Sequence, residues 1–354
     1  MPYQLSAPFA FTMGPKTARI ALVQDYWGDA DAEVKMPFQG YYGKLISEAL
    51  GQADIRLTQT FRTSVFPWHP PTGKLLDECR KKSELPEGYS APPIASGKYL
   101  PEDFLGERGR VLEELQTVKP HVTILFGAVA TWAVLGHTRV QTARGVIAPF
   151  GSEEFPLKAL PTYAPGVILG DWAKRPIWVV DMMKGRRESE YPEIRRPKRE
   201  VLIRPSLRQV EAWVTEALSA AKILSCDIET KRGQITCIGF AWRKDAAICI
   251  PFVNHEQPGY SYWGSVEAEA KAWKLVERLL QSPIEKLFQN GLYDLQYLYR
   301  AGLKTNAVHH DTMLLSHALY PEMPKGLGFL GSMFCNEVAW KSMRNKSEDY
   351  KANE

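Results

Sequence analysis

The sequence predicts an α/β fold in two domains, and three observations lead to this prediction. Strand-like and helix-like segments alternate through the first 188 residues, the alternation resumes after residue 204, and a basic stretch poor in apolar residues separates the two regions. At 354 residues the chain is long enough for two domains with separate cores. We therefore predict one domain over residues 1–188, a linker over 189–204 and a second domain over 205–354.

The first domain has the pattern of three layers built around a mostly parallel sheet. Apolar and β-branched runs predict strands, and segments with helical spacing predict the helices that connect them. The predicted strands are 17–24, 56–65, 120–127 and 155–163, and the predicted helices are 40–50, 108–118, 128–136 and 171–184. Residues 67–101 lack periodicity and are interrupted by Pro and Gly, so we predict a surface insertion there.

Composition excludes several classes of protein. Hydrophobic residues make up 45% and charged residues 24% of the chain, as in globular proteins, and no run of eighteen apolar residues predicts a membrane span. The first residues lack the layout of a signal peptide, so we expect a cytoplasmic protein with no membrane partner. Five scattered cysteines form no C-x-x-C pair, which disfavours zinc ribbons, iron–sulfur clusters and disulfide frameworks.

The linker carries a cluster of basic side chains, and two interpretations of it stay open. Arg195, Arg196, Lys198 and Arg199 lie in a segment with almost no apolar residues. The simpler interpretation is a solvated connection between domains. The functional one is a stripe that contacts the phosphates of DNA, which the net charge of +4 permits without requiring.

The second domain opens with a capping-box pattern at Ser206 and Gln209, followed by a predicted helix. Two strands joined by a polar turn at residues 231–234 and a third strand at 248–252 come next. A helix over 266–281, a strand that ends near residue 289 and a helix that starts at Asn290 complete the predicted core.

Two carboxylates interrupt the first of these strands. Asp227 and Glu229 are two residues apart, so their side chains point to the same face of the strand. Like charges at that distance are costly unless a cation lies between them, and a divalent metal is the commonest solution. Alone, the pair fits an ordinary solvated surface equally well.

Three ordered motifs identify a resemblance for residues 200–354. I-L-S-C-D-I-E-T, F-Q-N-G-L-Y-D and H-H-D-T-M-L-L-S-H-A-L-Y-P resemble the DEDD (DnaQ-like) 3′-5′ exonuclease domain, a ribonuclease H-like fold, as found in phage-type family A DNA polymerases. The resemblance implies that Asp227, Glu229 and Asp294 hold two Mg²⁺ or Mn²⁺ ions. It implies that Tyr350 orients the attacking water. Glu354 stands where the family has a fourth, aspartate ligand, so either Glu354 substitutes for it or the fourth acid lies further downstream.

The chemistry is consistent with these residue types. Phosphodiester hydrolysis needs a hydroxide near neutral pH and a stabilised leaving oxygen, which two divalent ions supply, and hard ions prefer carboxylate oxygens. Asn290 lies one helical turn before Asp294 and either contacts the DNA strand or caps the helix. Asp311 is interpreted as a structural residue at a helix start rather than as a ligand.

The first domain resembles the uracil-DNA glycosylase superfamily. The similarity lies in six ordered segments, among them M-P-F-Q-G-Y-Y-G-K-L-I, F-R-T-S-V-F-P-W-H-P-P and L-P-T-Y-A-P-G-V-I-L. Phe38 stands where the family stacks uracil. Three features depart from the family. Ser64 replaces the Asn that reads the base, Ala164 replaces the catalytic His, and the cysteines that bind an iron–sulfur cluster in the bacterial branch are missing. The resemblance therefore implies a catalytically degenerate domain that binds DNA or serves as a scaffold.

Together these motifs predict the N-terminal part of a phage family A DNA polymerase, working in the bacterial cytoplasm. It would remove nucleotides from single-stranded DNA 3′ ends in proofreading, with a polymerase domain in the same chain or in a separate one. The alternative is a non-catalytic DNA-binding or polymerase-docking module of a split polymerase. An active uracil-DNA glycosylase is a third, less favoured hypothesis.

Overall fold

The computed structural model describes residues 5–70, 75–196, 198–254, 256, 259, 261–306 and 309–335. The chain divides into two compact units, one formed by residues up to 195 together with a segment that begins at residue 328, and one formed mainly by residues 196–327. Within the described ranges, no helix combines the length and the apolar character that a membrane span requires. The two units are described in turn.

The first unit contains five strands and seven helices before residue 195 in the described part of the chain. The strands are β1 (Ile20–Tyr26), β2 (Phe61–Phe66), β3 (Val122–Phe126), β4 (Ala148–Gly151) and β5 (Pro156–Thr162). The helices are α1 (Asp29–Val34), α2 (Gly40–Gln52), α3 (Glu102–Val118), α4 (Ala128–Leu135), α5 (Val140–Ala143), α6 (Pro165–Gly170) and α7 (Arg175–Glu188).

The sheet of this unit has the order β2-β1-β3-β5-β4, and only the β4–β5 pair is antiparallel. Side chains of β1 alternate between two hydrophobic clusters, because Ala21 joins one cluster and Leu22 the other. Helices α3 and α4 supply residues to the first cluster, and α2 and α7 supply residues to the second. The predicted three layers around a mostly parallel sheet are therefore confirmed.

The differences from the predicted elements are local. The strand predicted over 56–65 begins only at Phe61, because residues Leu57–Gln59 form a 3₁₀ turn. The described part of the segment 67–101 contains short 3₁₀ turns and isolated β-bridges, yet Ile94 and Leu100 are buried in the first cluster. This segment therefore contributes to the core rather than lying wholly on the surface.

The second unit contains six strands and four helices in its described residues up to 319. In chain order they are β6 (Glu200–Leu202), α8 (Leu207–Ala220), β7 (Ile223–Lys231), β8 (Gln234–Arg243), β9 (Ala246–Pro251), α9 (Val266–Gln281), β10 (Glu285–Phe288), α10 (Gly291–Arg300), β11 (His309–Asp311) and α11 (Thr312–Leu319). The sheet order is β11-β10-β7-β8-β9-β6, with the β7–β8 and β8–β9 pairs antiparallel. Helices α8 and α9 pack their apolar residues on one face of this sheet.

Two features near the start of this unit test the sequence interpretation. Ser206 caps α8, and its hydroxyl accepts a hydrogen bond from the backbone N–H of Gln209, as the capping box predicts. Residues Glu200–Leu202, by contrast, were expected in the linker and instead pair with β9 as a parallel edge strand. The exposed edge of β9 supplies the hydrogen-bond partners that an isolated segment lacks.

A last helix, α12 (Leu327–Phe334), lies almost wholly in the segment that groups with the first unit. Arg144 Nη1 donates a hydrogen bond to Ser332 Oγ at 3.2 Å, and Lys184 Nζ donates to the backbone carbonyl of Ser332. Arg144 also forms a buried ion pair with Asp181, in which its Nη2 lies 2.8 Å from Asp181 Oδ1. Buried charges of this kind require such partners.

Candidate active site

Strand β7 separates its core residues from its acidic residues by simple alternation. Cys226 and Ile228 are buried in the hydrophobic core, whereas Asp227 and Glu229 are exposed on the opposite face. The predicted placement of the two carboxylates on one face is confirmed by this pattern. On β8, Gly239 lies directly opposite Asp227, so no bulky side chain covers that carboxylate from the neighbouring strand.

Asp294 reaches the same strand from helix α10. Its side chain is only 4% exposed, and its Oδ1 accepts a hydrogen bond from the backbone N–H of Ile228 at 2.9 Å. Ile228 lies between Asp227 and Glu229 in the chain. This hydrogen bond therefore places Asp294 next to the acidic strand, although 66 positions of sequence separate Asp294 from Ile228. The three predicted acidic residues thus belong to one region of the second unit.

The electrostatics of this region are unfavourable for a buried carboxylate. The pKa of Asp294 is raised to about 6, chiefly because the carboxyl group is buried; the hydrogen bond from Ile228 opposes this rise, and the negative charge of Asp227 adds to it. A carboxyl group that is buried beside another acid is costly to ionise. Such an arrangement favours the binding of a cation and is frequent at functional sites.

Helix α10 is held in place by Asp311, at the end of β11. The carboxylate of Asp311 accepts hydrogen bonds from the backbone N–H groups of Asn290 and Gly291, and from those of Met313 and Leu314 at the start of α11. It therefore caps one helix and fixes the first turn of another. The interpretation of Asp311 as a structural helix-start residue is confirmed.

Asn290 takes the N-cap position of α10 in a left-handed conformation, with φ 59°. Its side chain makes no capping hydrogen bond and is exposed, so the cap interpretation does not hold for the side chain itself. Asp311 supplies the capping oxygen atoms instead. Contact of Asn290 with a DNA strand stays a prediction.

The donor chemistry fits a hard divalent cation, although the side chains are not gathered around one point. Among the residues that the structure describes, no group of three or more His, Cys, Asp or Glu side chains is close enough to hold an ion. One oxygen of Asp294 accepts the hydrogen bond from Ile228, and Asp227 and Glu229 are exposed on the strand that Ile228 belongs to. The predicted Tyr350 and Glu354 lie outside the described residues.

Two positions of the first unit that the resemblance to glycosylases singled out, Phe38 and Ser64, are buried. Phe38 is 4% exposed, and its ring packs edge-on against Phe126 in the hydrophobic core. Ser64 is 1% exposed, and its hydroxyl has no hydrogen-bond partner among the described residues. A DNA contact by Phe38 stays a prediction. It would require the ring to leave this buried position.

Asp25 is the next-to-last residue of β1, in the segment that the resemblance to glycosylases aligns with the loop of the water-activating group. Burial raises the pKa of Asp25 to about 7, although part of its surface still contacts solvent, and hydrogen bonds from the backbone N–H groups of Ala130 and Val129 oppose this rise. Its carboxylate thus caps helix α4. Gly127 leaves room for it, because a Cβ there would lie 2.3 Å from Asp25 Oδ2.

The basic linker residues are exposed, and at least one of them, Arg195, interacts with neighbouring side chains. Arg195 pairs with Glu193 and lies over the ring of Tyr191 at 3.7 Å from its centroid. Arg196, Lys198 and Arg199 are also exposed. Contact of these four residues with DNA phosphates stays a prediction.

The sequence interpretation missed one pair of residues beside the acidic strand. Cys237 and Cys249 lie on the neighbouring strands β8 and β9, and the strand register places their side chains on the same face. Interaction between the two thiols lowers the pKa of Cys237 and raises the pKa of Cys249. Twelve positions of sequence separate the two residues, so only the strand register reveals that they are neighbours.

Comparison with known proteins agrees with the resemblance of the second unit. Residues 206–352 match the family model described as 3′-5′ exonuclease. The resemblance stated for residues 200–354 is therefore confirmed at the level of this domain family. No curated protein matches the chain.

Several solved exonucleases are distantly similar. Escherichia coli RNase D, an exoribonuclease involved in structured RNA processing, is 17% identical with a TM-score of 0.29, over 43% of this chain and 36% of that chain. The chain thus spans about a third of RNase D. The Aedes aegypti Nibbler EXO domain is 13% identical with a TM-score of 0.31, over 43% and 73% of the two chains. Brucella melitensis NrnC with bound Mg²⁺ is 13% identical with a TM-score of 0.26, over 45% and 73%.

Proposed function

We propose that the second unit is a metal-dependent 3′-5′ exonuclease that hydrolyses phosphodiesters at single-stranded DNA 3′ ends. The observation that carries this proposal is the hydrogen bond of Asp294 to the backbone between Asp227 and Glu229, within the segment that matches the exonuclease family. It joins two distant acidic motifs into one region that favours a cation.

Asp227, Glu229 and Asp294 would hold two Mg²⁺ or Mn²⁺ ions, with further ligands from water and from the residues near Glu354. When bound, such ions lower the pKa of water and offset the charge of the leaving oxygen. The protein itself supplies the positions of the carboxylates. Strand β7 aligns two of them, and Asp311 fixes the first turn of α10, which carries the third.

Tyr293 gives the site a second connection between helix and strand. Its hydroxyl forms a hydrogen bond of 2.6 Å with Thr230 Oγ1, next to Glu229. The pairing of β7 with β8 shifts its register between Glu229 and Thr230, so a bulge lies at this point. Bulges reorient neighbouring side chains. This contact would set the direction of the Glu229 carboxylate.

The first unit would serve as a DNA-binding or scaffold domain with a degenerate glycosylase-like fold, and the whole would proofread for a phage family A polymerase in the bacterial cytoplasm. Support for the fold is the mostly parallel sheet with helices on both faces. Support for degeneracy is the burial of Ser64 and the use of Asp25 as a helix cap. A uracil-release assay on uracil-containing DNA should give no product, and release of uracil would refute the degenerate assignment.

A non-catalytic docking module is the second candidate, and one observation favours it. The described residues include no group of three donors at ligand distance. Calorimetric titration with Mn²⁺ separates the two candidates. An exonuclease should bind Mn²⁺ and lose this binding in Asp227→Asn, whereas a docking module should show no binding that depends on Asp227.

A further inference from the structure

A cavity of about 650 Å³ lies at the amino ends of β1 and β2 in the first unit. Its walls come from the segment before β1, from the turn between α2 and β2, and from the end of α7. Asp25, near the carboxyl end of β1, is about 16 Å away, because a strand advances about 3.3 Å per residue from Ile20 to Asp25. The cavity is therefore distinct from the end of the sheet that the resemblance to glycosylases singles out.

Arginine side chains dominate the charge of this cavity. Arg19, Arg56 and Arg186 line it, and Asp54 is the acidic residue of the lining. Arg186 is partly neutralised by Glu190, whose Oε1 lies 3.3 Å from the arginine Nη1. Within the described part of the chain, Arg19 and Arg56 form neither an ion pair nor a side-chain hydrogen bond. Their guanidinium groups are thus available to an anion in the cavity.

The backbone holds both of these arginines at the cavity. Arg19 lies between the buried residues Ala18 and Ile20, and its carbonyl oxygen accepts a hydrogen bond of 3.2 Å from the first residue of β3. Arg56 follows Ile55, which is buried and whose backbone N–H donates a hydrogen bond of 2.9 Å to the last turns of α2. A ligand that binds here therefore orders two side chains but not the backbone that carries them, which lowers the entropic cost of binding.

We propose that this cavity binds the phosphate backbone of single-stranded DNA, an inference that rests on the DNA-binding role proposed for the first unit and gives that role a location. Guanidinium groups match phosphate oxygens through paired hydrogen bonds. The exposed Thr17 and Thr58 add hydroxyl donors of the kind that contact phosphates. None of the lining residues is aromatic, whereas sites that hold a base stack it on aromatic rings. The lining therefore fits the backbone of a DNA strand rather than its bases.

The test measures binding of the full chain to a fluorescent single-stranded oligonucleotide by anisotropy, in chelator to prevent cleavage and at a series of salt concentrations. The double variant Arg19→Gln, Arg56→Gln removes both cavity charges. Its matched control is Arg80→Gln, Arg139→Gln, because these exposed arginines of the same unit lie outside the cavity. Each phosphate contact to a single strand contributes about 0.7 to the slope of log affinity against log salt, so the cavity variant should lose about 1.4 from this slope and at least about tenfold in affinity at low salt. The control should bind as the wild type does.

Two further arms identify what the cavity recognises. Oligo(dT) and a mixed-sequence oligonucleotide should lose affinity equally in the cavity variant, because they share the same backbone. The charge-preserving variant Arg19→Lys, Arg56→Lys should keep the wild-type slope, which a merely structural role of the arginines would not predict. Inorganic phosphate at millimolar concentration and constant ionic strength should leave the DNA bound, since a single phosphate makes only part of the contacts.

The nuclease is measured separately, as the rate of metal-dependent hydrolysis at saturating oligonucleotide, and circular dichroism checks that each variant is folded. A wild-type slope in the glutamine variant, an equal loss in the control, or displacement of DNA by millimolar phosphate would overturn the proposal. An unchanged slope with hydrolysis intact would refute the cavity alone and leave the exonuclease standing. A reduced slope in a chain that hydrolyses nothing would support the cavity and refute the exonuclease.

Discussion

Asp294 stores unfavourable electrostatic free energy, and this can be measured by the substitution Asp294→Asn. The pKa of this carboxyl is about 6 in the folded protein, against 3.8 for an ordinary aspartate. The folded state therefore binds the proton more tightly than the unfolded state does. Stability from this group is complete below pH 3.8 and is lost as the pH rises through 6.

The size of the effect follows from the pKa difference. About two pKa units correspond to about 3 kcal/mol, which is an upper limit for the gain in Asp294→Asn above pH 6. Asparagine is neutral at every pH, and its amide oxygen can still accept the hydrogen bond from Ile228. The variant should therefore be more stable than the wild type at pH 7, and its advantage should shrink as the pH falls toward 4.

Urea unfolding of both proteins in a chelating buffer, at several pH values between 4 and 8, measures this difference. Asp227→Asn is the matched control, because Asp227 is exposed and its neutralisation should change stability much less. A variant that is less stable than the wild type at pH 7, or an advantage that does not vary with pH, would refute the electrostatic account.

Three further substitutions test other parts of the structure. Asp311→Ala should lower the free energy of unfolding by about 1–2 kcal/mol and slow the nuclease, since it removes a cap and loosens the first turn of α10. Ser206→Ala should cost about 1 kcal/mol by chemical denaturation and leave the nuclease rate unchanged, and a loss of activity there would contradict the assignment. Gly127→Ala should cost about 1–3 kcal/mol in thermal unfolding, because φ is 110° and the new methyl group would meet Asp25, whereas Gly51→Ala in the last turn of α2, where no atom would meet the new methyl group, should not destabilise.

Local patterns in the sequence predicted those helices, strands and caps that are determined by residues a few positions apart. The alternation in β7, the cap at Ser206 and the amphipathic helix α9 all follow from contacts within a few positions. The joining of Asp294 to the acidic strand was expected from the resemblance to the exonuclease motifs. No local rule could have placed a helix residue against a strand so distant in the chain.

The features that the sequence did not predict all depend on tertiary pairing. Residues Glu200–Leu202 form a strand because they pair with the edge of β9. The basic residues before them gave this segment the composition of a linker, so the strand was not predicted. Cys237 and Cys249 become neighbours on one face of the sheet because of the register of β8 with β9. Residues 328–335 group with the first unit because Ser332 accepts hydrogen bonds from Arg144 and Lys184. Both of these side chains are buried, and both are distant from Ser332 in the sequence.

Digestion of a 5′-labelled single-stranded DNA oligonucleotide tests the central claim most directly. The full chain and Asp227→Ala are compared with Mg²⁺, with Mn²⁺ and with chelator, and an RNA oligonucleotide of the same sequence tests the choice of DNA. The account predicts a metal-dependent ladder of products shortened from the 3′ end, DNA cleaved faster than RNA, and a rate at least about 100-fold lower in Asp227→Ala while DNA binding remains measurable. Equal digestion by wild type and variant, or intact DNA despite binding and supplied metal, would contradict it.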